Sequence, residues 1–269
     1  MSTIRIRILF SYEGTNYHGW QRQKDTRETI QEIFENKLSQ IANTRLNIVS
    51  SGRTDTGVHA RIQVAHVDVP TEFAEKMLTR PAKHPNGMNR LELALNGNGM
   101  LPHKIRIWKV EKTAPKFHAQ RDVRKKTYLY FIDTGPVQWP HLRNYAWHLR
   151  LPLDVKGMQS AALKLVGAHD FKAFCAADSS AKTTTRTLFE SKVDFVDIGG
   201  FAPTRLLVCR FTGNGFLKQM VRSMVGTLAM IGNGRAKPEL ISELLQHGRR
   251  NEVGNTAPPH GLWLWDILY

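Results

Sequence analysis

The sequence predicts an α+β protein in which helices cover one face of a β-sheet. Two observations favour this class. In several segments apolar residues recur at every second position, which is the period of a half-buried strand, while in others they recur every three or four positions, as in an amphipathic helix. Both patterns occur in each half of the 269-residue chain, so strands and helices are interspersed throughout.

The first half begins with a strand and continues with a helix and two further strands. The first strand is predicted from the alternation of Ile4, Ile6, Ile8 and Phe10 with Arg5 and Arg7. Helical spacing over residues 29–42 follows, and Thr29 and Glu32 can form a capping box at its start. Residues 46–50 and 63–69 have strand patterns, so a loop joins them.

The stretch 71–99 is polar and contains several prolines and glycines, including Pro85. Helical spacing within it predicts one more helix at Met88, Leu91 and Leu95. A strand is predicted near residues 105–110. Ala114 then begins a connecting segment, and we expect one α+β domain over residues 1–112 and a second over residues 113–269.

The second half uses the same kinds of element. We expect a strand near 127–132, a helix near 154–166, and a strand pair near 190–196 and 205–211. A long helix is predicted from the apolar stripe Phe216, Leu217, Met220, Val221, Met224, Val225 and Leu228. Pro238 suits the first position of a last, short helix.

The charge balance indicates a polyanionic partner. Lysine and arginine number 38 against 23 aspartates and glutamates, which gives a formal net charge of +15 and a pI of about 10.0. Such a field attracts nucleic acid, although some anion-binding enzymes and membrane-surface proteins are equally basic. No apolar run approaches the ~18 residues of a membrane span, and the first residues alternate in polarity, so we expect a cytoplasmic protein.

Metal sites, disulfides and nucleotide-binding loops have little support in the sequence. Cys175 and Cys209 lie far apart without a CxxC motif, and we expect both to fill cores. The 11 histidines include no HExxH spacing. Three Gly-Asn-Gly triplets, at 97–99, 213–215 and 232–234, do not continue as GxGxxG and are predicted to be turns.

Asp55 is the candidate catalytic residue. It lies in the loop Ser51-Gly52-Arg53-Thr54-Asp55-Thr56-Gly57-Val58-His59-Ala60, between two predicted strands. A lone aspartate in a loop often only caps a turn. Here glycines permit close approach of a substrate, and Arg53 can keep a carboxylate ionised or bind a phosphate.

Two further groups are candidates for contact with nucleic acid. A cationic run, Arg121, Arg124, Lys125 and Lys126, precedes Tyr128 and Tyr130 on a predicted strand. This pattern is typical of a phosphate-binding edge beside an aromatic stacking surface, or of a solvated loop followed by core tyrosines. Arg222 lies beside the apolar stripe of the long helix, four residues after Lys218, and needs an anionic partner if it is buried.

These motifs together resemble those of the tRNA pseudouridine synthase A family, and the resemblance extends through nearly the whole chain. The matching segments are Tyr12-Glu13-Gly14-Thr15, Gly19-Trp20-Gln21-Arg22-Gln23, Thr29-Ile30-Gln31-Glu32, the Asp55 loop, Phe117-His118-Ala119, Lys126-Thr127-Tyr128-Leu129-Tyr130, 167–174, Gly215-Phe216-Leu217, Met220-Val221-Arg222, Ala257-Pro258-Pro259 and Gly261-Leu262. The stretch 71–96 departs from the family pattern, since it is longer and more polar.

The resemblance implies a fold, a reaction and partners. The fold would be two ferredoxin-like-derived domains that share a continuous mixed or antiparallel sheet, with the active site in a cleft between them. The reaction would be isomerisation of uridine to pseudouridine at position 38, 39 or 40 in the anticodon stem-loop of tRNA, by a homodimer without cofactor or metal. Asp55 would be catalytic and Tyr128 would contact the uridine, while Arg222 and Arg53 would assist; Arg121, Arg124, Lys125, Lys126 and Lys218 would bind tRNA.

Two other functions agree with part of the sequence. A non-catalytic RNA-binding protein accounts for the charge and the aromatic strand, but it leaves the Asp55 loop unexplained. An enzyme acting on small nucleotides is the second alternative, and the use of free uridine nucleotides as substrates would distinguish it.

Overall fold

The computed structural model describes residues 2–82, 87–97, 99–197 and 205–269. Pro85 and Asn98, which belong to predicted turn segments, lie outside the described residues. The chain forms two compact units: unit 1 runs from the N-terminus to Arg124 and includes Asp266–Tyr269, and unit 2 is Lys125–Trp265. The predicted division at residue 112 stays a prediction.

Unit 1 contains four strands and three α-helices among its described residues. In chain order they are β1 (Thr3–Tyr12), α1 (Ile30–Ala42), β2 (Val49–Ser50), β3 (His59–Pro70), α2 (Thr71–Met77), α3 (Arg90–Asn96) and β4 (Ile105–Lys112). β1 pairs antiparallel with both β3 and β4, and β2 pairs antiparallel with β3.

One face of the unit 1 sheet is apolar and carries α1. The even-numbered residues of β1 from Ile6 onward are buried, as their alternation predicted. The ring of Phe10 makes an edge-to-face contact with Phe34 of α1, with 5.2 Å between centroids. The predicted capping residue is confirmed in part, because the Thr29 side chain accepts a hydrogen bond from Glu32 N.

The helix predicted from Met88, Leu91 and Leu95 is present as α3, which covers the edge of β4, but it begins at Arg90 and Met88 lies outside it. Side chains of α3 and its cap satisfy the backbone groups of this strand: Asn96 bonds to both N–H and C=O of Ile107, and Glu92 and Asn89 bond to Val110 N and O, all within 2.9 Å. Backbone groups of an edge strand that are bonded to side chains in this way are not available for pairing with another chain. The sequence patterns did not predict α2, in which only Ala74 is buried.

The opposite face of the unit 1 sheet holds the connecting segment. His66 of β3 is 5% exposed, and its Nδ1 accepts a 3.0 Å hydrogen bond from Ala119 N. Tyr269 donates a 2.6 Å hydrogen bond to Ala119 O, and Arg5 donates one of 2.9 Å to Phe117 O. These bonds explain why unit 1 extends to Arg124.

Unit 2 has more strands than unit 1 and three α-helices among its described residues. Its elements are β5 (Lys125–Asp133), β6 (Trp147–His148), α4 (Val155–Leu163), β7 (Gly167–Asp170), β8 (Thr185–Asp197), β9 (Arg205–Gly213), α5 (Met220–Gly232), α6 (Leu240–His247) and β10 (Leu262–Leu268), whose last residues belong to unit 1. The strands β5, β9, β8 and β7 are successive antiparallel neighbours, and β6 pairs parallel with β5.

The helices of unit 2 pack on the sheet as expected for the predicted α+β class, which is confirmed. α4 contacts both β8 and α5. On the other side of β5 and β9, Leu129 and Val208 pack with Leu142 and Ala146, which precede β6. Both cysteines are free and buried, as predicted. Among the described residues, every helix is too short or too polar to span a lipid bilayer.

Two helix starts differ from the prediction. The apolar stripe was expected to begin at Phe216, but α5 begins at Met220 because Gln219 adopts a left-handed conformation with φ of 60°. Pro238 was expected at the first helical position, but α6 begins at Leu240. Before α5 the apolar spacing continues into the preceding turn, so periodicity alone does not locate the start of that helix.

We predict that His66 makes stability depend on pH. Burial, with the charges of Arg5 and His118, lowers the pKa of His66 to about 4. Because the folded-state pKa is below that of the unfolded chain, this contribution is complete above about pH 6.5 and is lost as the pH falls towards 4. Urea unfolding between pH 7 and 4 should give a steeper loss for the wild type than for His66→Asn, which keeps an acceptor for Ala119 N. Parallel curves would contradict this.

Candidate active site

Asp55 lies in the loop between β2 and β3, as predicted. Its side chain is partly exposed, whereas Thr54 is buried and Thr56 is exposed. Val58 N donates a 3.1 Å hydrogen bond to Asp55 O, and Gly57 has a φ of 78°. The chain therefore makes a tight turn here, and Asp55 is partly exposed.

The segment Tyr17–Trp20 holds the Asp55 loop from one side. Trp20 N donates a 3.1 Å hydrogen bond to Thr54 O, and Gly57 N donates one of 3.4 Å to Tyr17 O. Gly19 has a φ of 82°, and a Cβ at this position would lie 2.8 Å from Thr54 O. Only glycine permits this approach without strain.

The indole of Trp20 anchors the same segment in the core of unit 1. It is 2% exposed, and its ring centroid lies 5.4 Å from that of Phe10 and 6.4 Å from that of Tyr12. The motif Gly19-Trp20, singled out in the sequence for its resemblance, therefore connects the Asp55 loop to β1.

Buried polar side chains hold the loop from the other side. The hydroxyl of Tyr12 lies 2.8 Å from Thr54 Oγ1, and burial raises the pKa of Tyr12 to about 12, so the group stays protonated. Gln63 accepts a 2.5 Å hydrogen bond from the Ser51 hydroxyl and donates one of 3.0 Å to Gly52 O. Ser51, Gly52 and Thr54 thus have hydrogen bonds to Tyr12 or Gln63, whereas Arg53 is exposed.

His59 completes the support of the loop. It is fully buried, and its Nδ1 accepts a 3.0 Å hydrogen bond from Gly14 N. That bond leaves the ring proton on Nε2 when the imidazole is neutral. A Cβ at Gly14 would lie 2.0 Å from Val58 O, so the two backbones are in direct contact.

In unit 2, Tyr128 and Tyr130 have different surroundings. Tyr128 is 7% exposed, and its ring makes an edge-to-face contact with Phe216, with 4.9 Å between centroids. Tyr130 is fully buried and donates a 2.8 Å hydrogen bond to Pro258 O. Tyr130 is therefore a core residue. Tyr128, which is nearer the start of β5, forms an aromatic pair with Phe216.

Arg222 lies in the first turn of α5 and contacts the closing motif. Its Nε donates a 2.8 Å hydrogen bond to Ala257 O, and Ala257 N donates one of 3.1 Å to Arg222 O. The close approach needs Gly226, where a Cβ would lie 1.8 Å from Asn255 O. Arg222 Nε is thus held by the backbone of the closing motif.

The cationic residues proposed to bind tRNA are mostly at the surface. Arg121, Arg124, Lys125 and Lys218 are exposed. Lys218 forms a 2.5 Å ion pair with Asp178, and the ammonium of Lys125 lies 4.9 Å from the centroid of the Phe189 ring. Lys126 is partly buried, and burial together with the charge of Arg186 lowers its pKa to about 8.

Comparison with known proteins identifies the family. The model described as tRNA pseudouridine synthase matches residues 8–108 and 161–269. The chain belongs to the tRNA pseudouridine synthase family. A protein named tRNA pseudouridine synthase A from Thermoanaerobacter sp. (strain X514) is 37% identical over 268 residues, which cover 98% of this chain and 99% of the relative. Its namesake from Pelobacter propionicus is 39% identical over 269 residues and 100% of both chains.

Family membership gives the reaction class. This synthase is an isomerase that acts on uridine in tRNA, and the predicted resemblance is confirmed. Among the described residues there is no group of three or more histidines, cysteines, aspartates or glutamates that could hold a metal ion.

Sequence reasoning missed the side chains that support the loop. Tyr12, Gln63 and His59 are on strands, where alternation predicts burial but gives no reason for a polar side chain. A buried polar residue near a catalytic candidate is itself a signal, because each such group needs a partner. Arg186 was also missed.

We predict that Gly19→Ala impairs catalysis more than Gly99→Ala does. Both glycines have a positive φ, of 82° and 78°, but only Gly19 has atoms within 4 Å of an added Cβ. Each variant should lose about 1–2 kcal/mol of stability through backbone strain. Gly19→Ala should in addition displace Thr54 and Asp55 and lower kcat/KM about tenfold or more. Chemical denaturation and steady-state kinetics on tRNA measure the two effects; equal kinetics in the two variants would contradict the role given to Gly19.

Proposed function

We propose that this synthase converts uridine to pseudouridine at position 38, 39 or 40 in the anticodon stem-loop of tRNA, with Asp55 as its catalytic residue. The observation that carries the assignment of Asp55 is its loop. Backbone and buried side chains fix the residues on both sides, and Asp55 is partly exposed. Such preorganisation is what a group that must meet one atom of a substrate requires.

The reaction needs a group that can attack or deprotonate the sugar. The bond between N1 of uracil and C1′ of ribose breaks, the uracil turns, and a bond from C5 to C1′ replaces it; the C5 proton is lost and N1 gains a proton. In one route the carboxylate of Asp55 attacks C1′ as a nucleophile and is displaced when C5 attacks the same carbon. In the other route it removes a sugar proton to give a glycal, and that proton returns when C5 adds to C1′. Neither route transfers electrons or a group to another molecule, so we propose no cofactor.

Three other residues assist in this proposal. Tyr128 stacks on the uracil and helps to remove the C5 proton, and its edge-to-face partner Phe216 supports the ring. Arg222 binds an anionic group of the substrate through its guanidinium. Arg53, which is exposed beside Asp55, takes the space left by the extruded base or binds its phosphate.

Positive charge supports binding of a structured RNA. A paired uridine must first be turned out of its helix, which costs a few kcal/mol. Contacts of phosphates with Arg121, Arg124, Lys125, Lys126 and Lys218 would offset this cost. The net charge of +15 also favours association at low ionic strength.

We predict that Asp55→Asn abolishes isomerisation without loss of tRNA binding. Tritium release from tRNA labelled at C5 of uridine should fall by more than about 10³-fold, since removal of a catalytic carboxylate typically costs this much. The dissociation constant for tRNA should stay within about threefold, because the charge of one group changes among many.

Asp25→Asn is the matched control, since Asp25 is an exposed aspartate of unit 1. It should release tritium at the wild-type rate. Undiminished release by Asp55→Asn would rule out its catalytic role. Release from free uridine nucleotides as fast as from tRNA would instead favour an enzyme of small nucleotides.

We also propose that the synthase is a cytoplasmic homodimer in which one tRNA contacts both subunits. Sedimentation equilibrium of the purified protein should give twice the chain mass of 30.6 kDa. Addition of tRNA should give one tRNA per dimer at limiting RNA. A monomer that sediments alone at micromolar concentration and binds tRNA with full activity would contradict the dimer.

A further inference from the structure

Two cationic side chains lie near each other on one end of the unit 2 sheet. Lys126 of β5 and Leu188 of β8 are both opposite Gly213 of β9. Arg186 precedes Leu188 by two residues, so it lies on the same face of β8. The charge of Arg186 contributes to the lowered pKa of Lys126, in agreement with this placement.

The guanidinium of Arg186 is fixed by one of its three nitrogens. Nη1 donates hydrogen bonds of 3.0 Å to Thr183 O, 3.3 Å to Thr183 Oγ1 and 2.6 Å to Thr185 O. In the part of the chain that the structure describes, Nε and Nη2 have no hydrogen-bond partner. A guanidinium oriented in this way presents the two-donor edge that binds a phosphate in bidentate fashion.

The electrostatic environment favours an anion at this point. Lys126 is partly buried, and Arg186 is partly exposed. Burial of one cation beside another is unfavourable unless an anion is bound with them. A phosphate that contacts both groups would relieve this repulsion.

The cationic pair lies beside the aromatic pair. Lys126 and Tyr128 are two residues apart on the same face of β5, which places them about 7 Å apart along the strand. Gly213 lies between Lys126 and Leu188, and a Cβ there would lie 2.7 Å from Leu188 Cδ2 and 3.3 Å from the Phe216 ring, so the strands are closely packed at this point. A Cβ at Gly215 would make only an ordinary 3.6 Å contact with Arg186 Nε.

We infer that Arg186 and Lys126 bind the phosphodiester next to the uridine that stacks on Tyr128. The inference rests on the proposed function, because it takes Tyr128 as the residue that contacts the uridine. It adds to that function a residue, Arg186, and a specific position in the RNA. The pair would hold the backbone of the extruded nucleotide while its base turns.

The test replaces single phosphates of the substrate. A set of tRNAs is assembled by ligation, each with one neutral methylphosphonate in the anticodon arm and tritium at C5 of the target uridine. For the wild type, replacement of the phosphate next to the target should lower kcat/KM about tenfold. Arg186→Gln should be slower with the natural tRNA and insensitive to that replacement. Arg235→Gln, which removes an exposed arginine elsewhere in unit 2, should keep the wild-type pattern.

Lys126→Met provides a second variant and should also lose its response to the same phosphate. Arg186→Lys, which keeps the charge but not the paired donors, should be intermediate. If both Arg186→Gln and Lys126→Met respond to each replacement as the wild type does, the inference is wrong. If the wild type itself releases no tritium from unsubstituted tRNA, the proposed function fails, and this inference fails with it.

Discussion

The structure of the candidate site depends on one close contact between two backbones. The segment from Gly14 to Trp20 lies directly on the Asp55 loop, with Trp20 N bonded to Thr54 O and Gly14 N bonded to the His59 ring. The contact is possible only because Gly14 and Gly19 have no side chain. The segment 14–20 and the Asp55 loop, about forty positions apart in the sequence, therefore form one packed structure.

The hydrogen bonds behind this contact account for its rigidity. Tyr12, Gln63 and His59 are buried polar residues, and each finds a partner in the loop or in the segment that covers it. Breaking one such bond leaves an unsatisfied buried group, which costs about 1–3 kcal/mol. The loop is consequently held in one conformation, while Asp55 itself remains partly open to solvent.

The sequence predicted the elements well where one face of an element is buried and the other is not. β1 and α1 are examples, because their alternating and helical patterns follow directly from burial on one side. The sequence patterns failed to predict α2, a short helix in which only Ala74 is buried. They also misplaced the start of α5, because the apolar spacing extends into the turn before the helix, where Gln219 is left-handed. Local patterns do not contain this information.

The candidate site was predictable in part for a similar reason. The position of Asp55 between two strands follows from local pattern, but the partners of its loop are on β1 and β3, and no spacing rule connects Tyr12 with Thr54. Arg186 was equally hidden, since its orientation depends on the carbonyls of Thr183 and Thr185. The first feature depends on a long-range hydrogen bond and the second on short-range bonds to backbone carbonyls, and patterns of apolar and polar residues reveal neither.

The most direct measurement of the central claim is a map of pseudouridine in cellular tRNA from cells that lack this synthase. We expect loss of pseudouridine at positions 38, 39 or 40 and at no other tRNA position. Expression of the wild-type protein should restore it, and expression of Asp55→Asn at the same level should not. An unchanged map in the deletion strain would contradict the proposed function, and restoration by Asp55→Asn would contradict the catalytic role of Asp55.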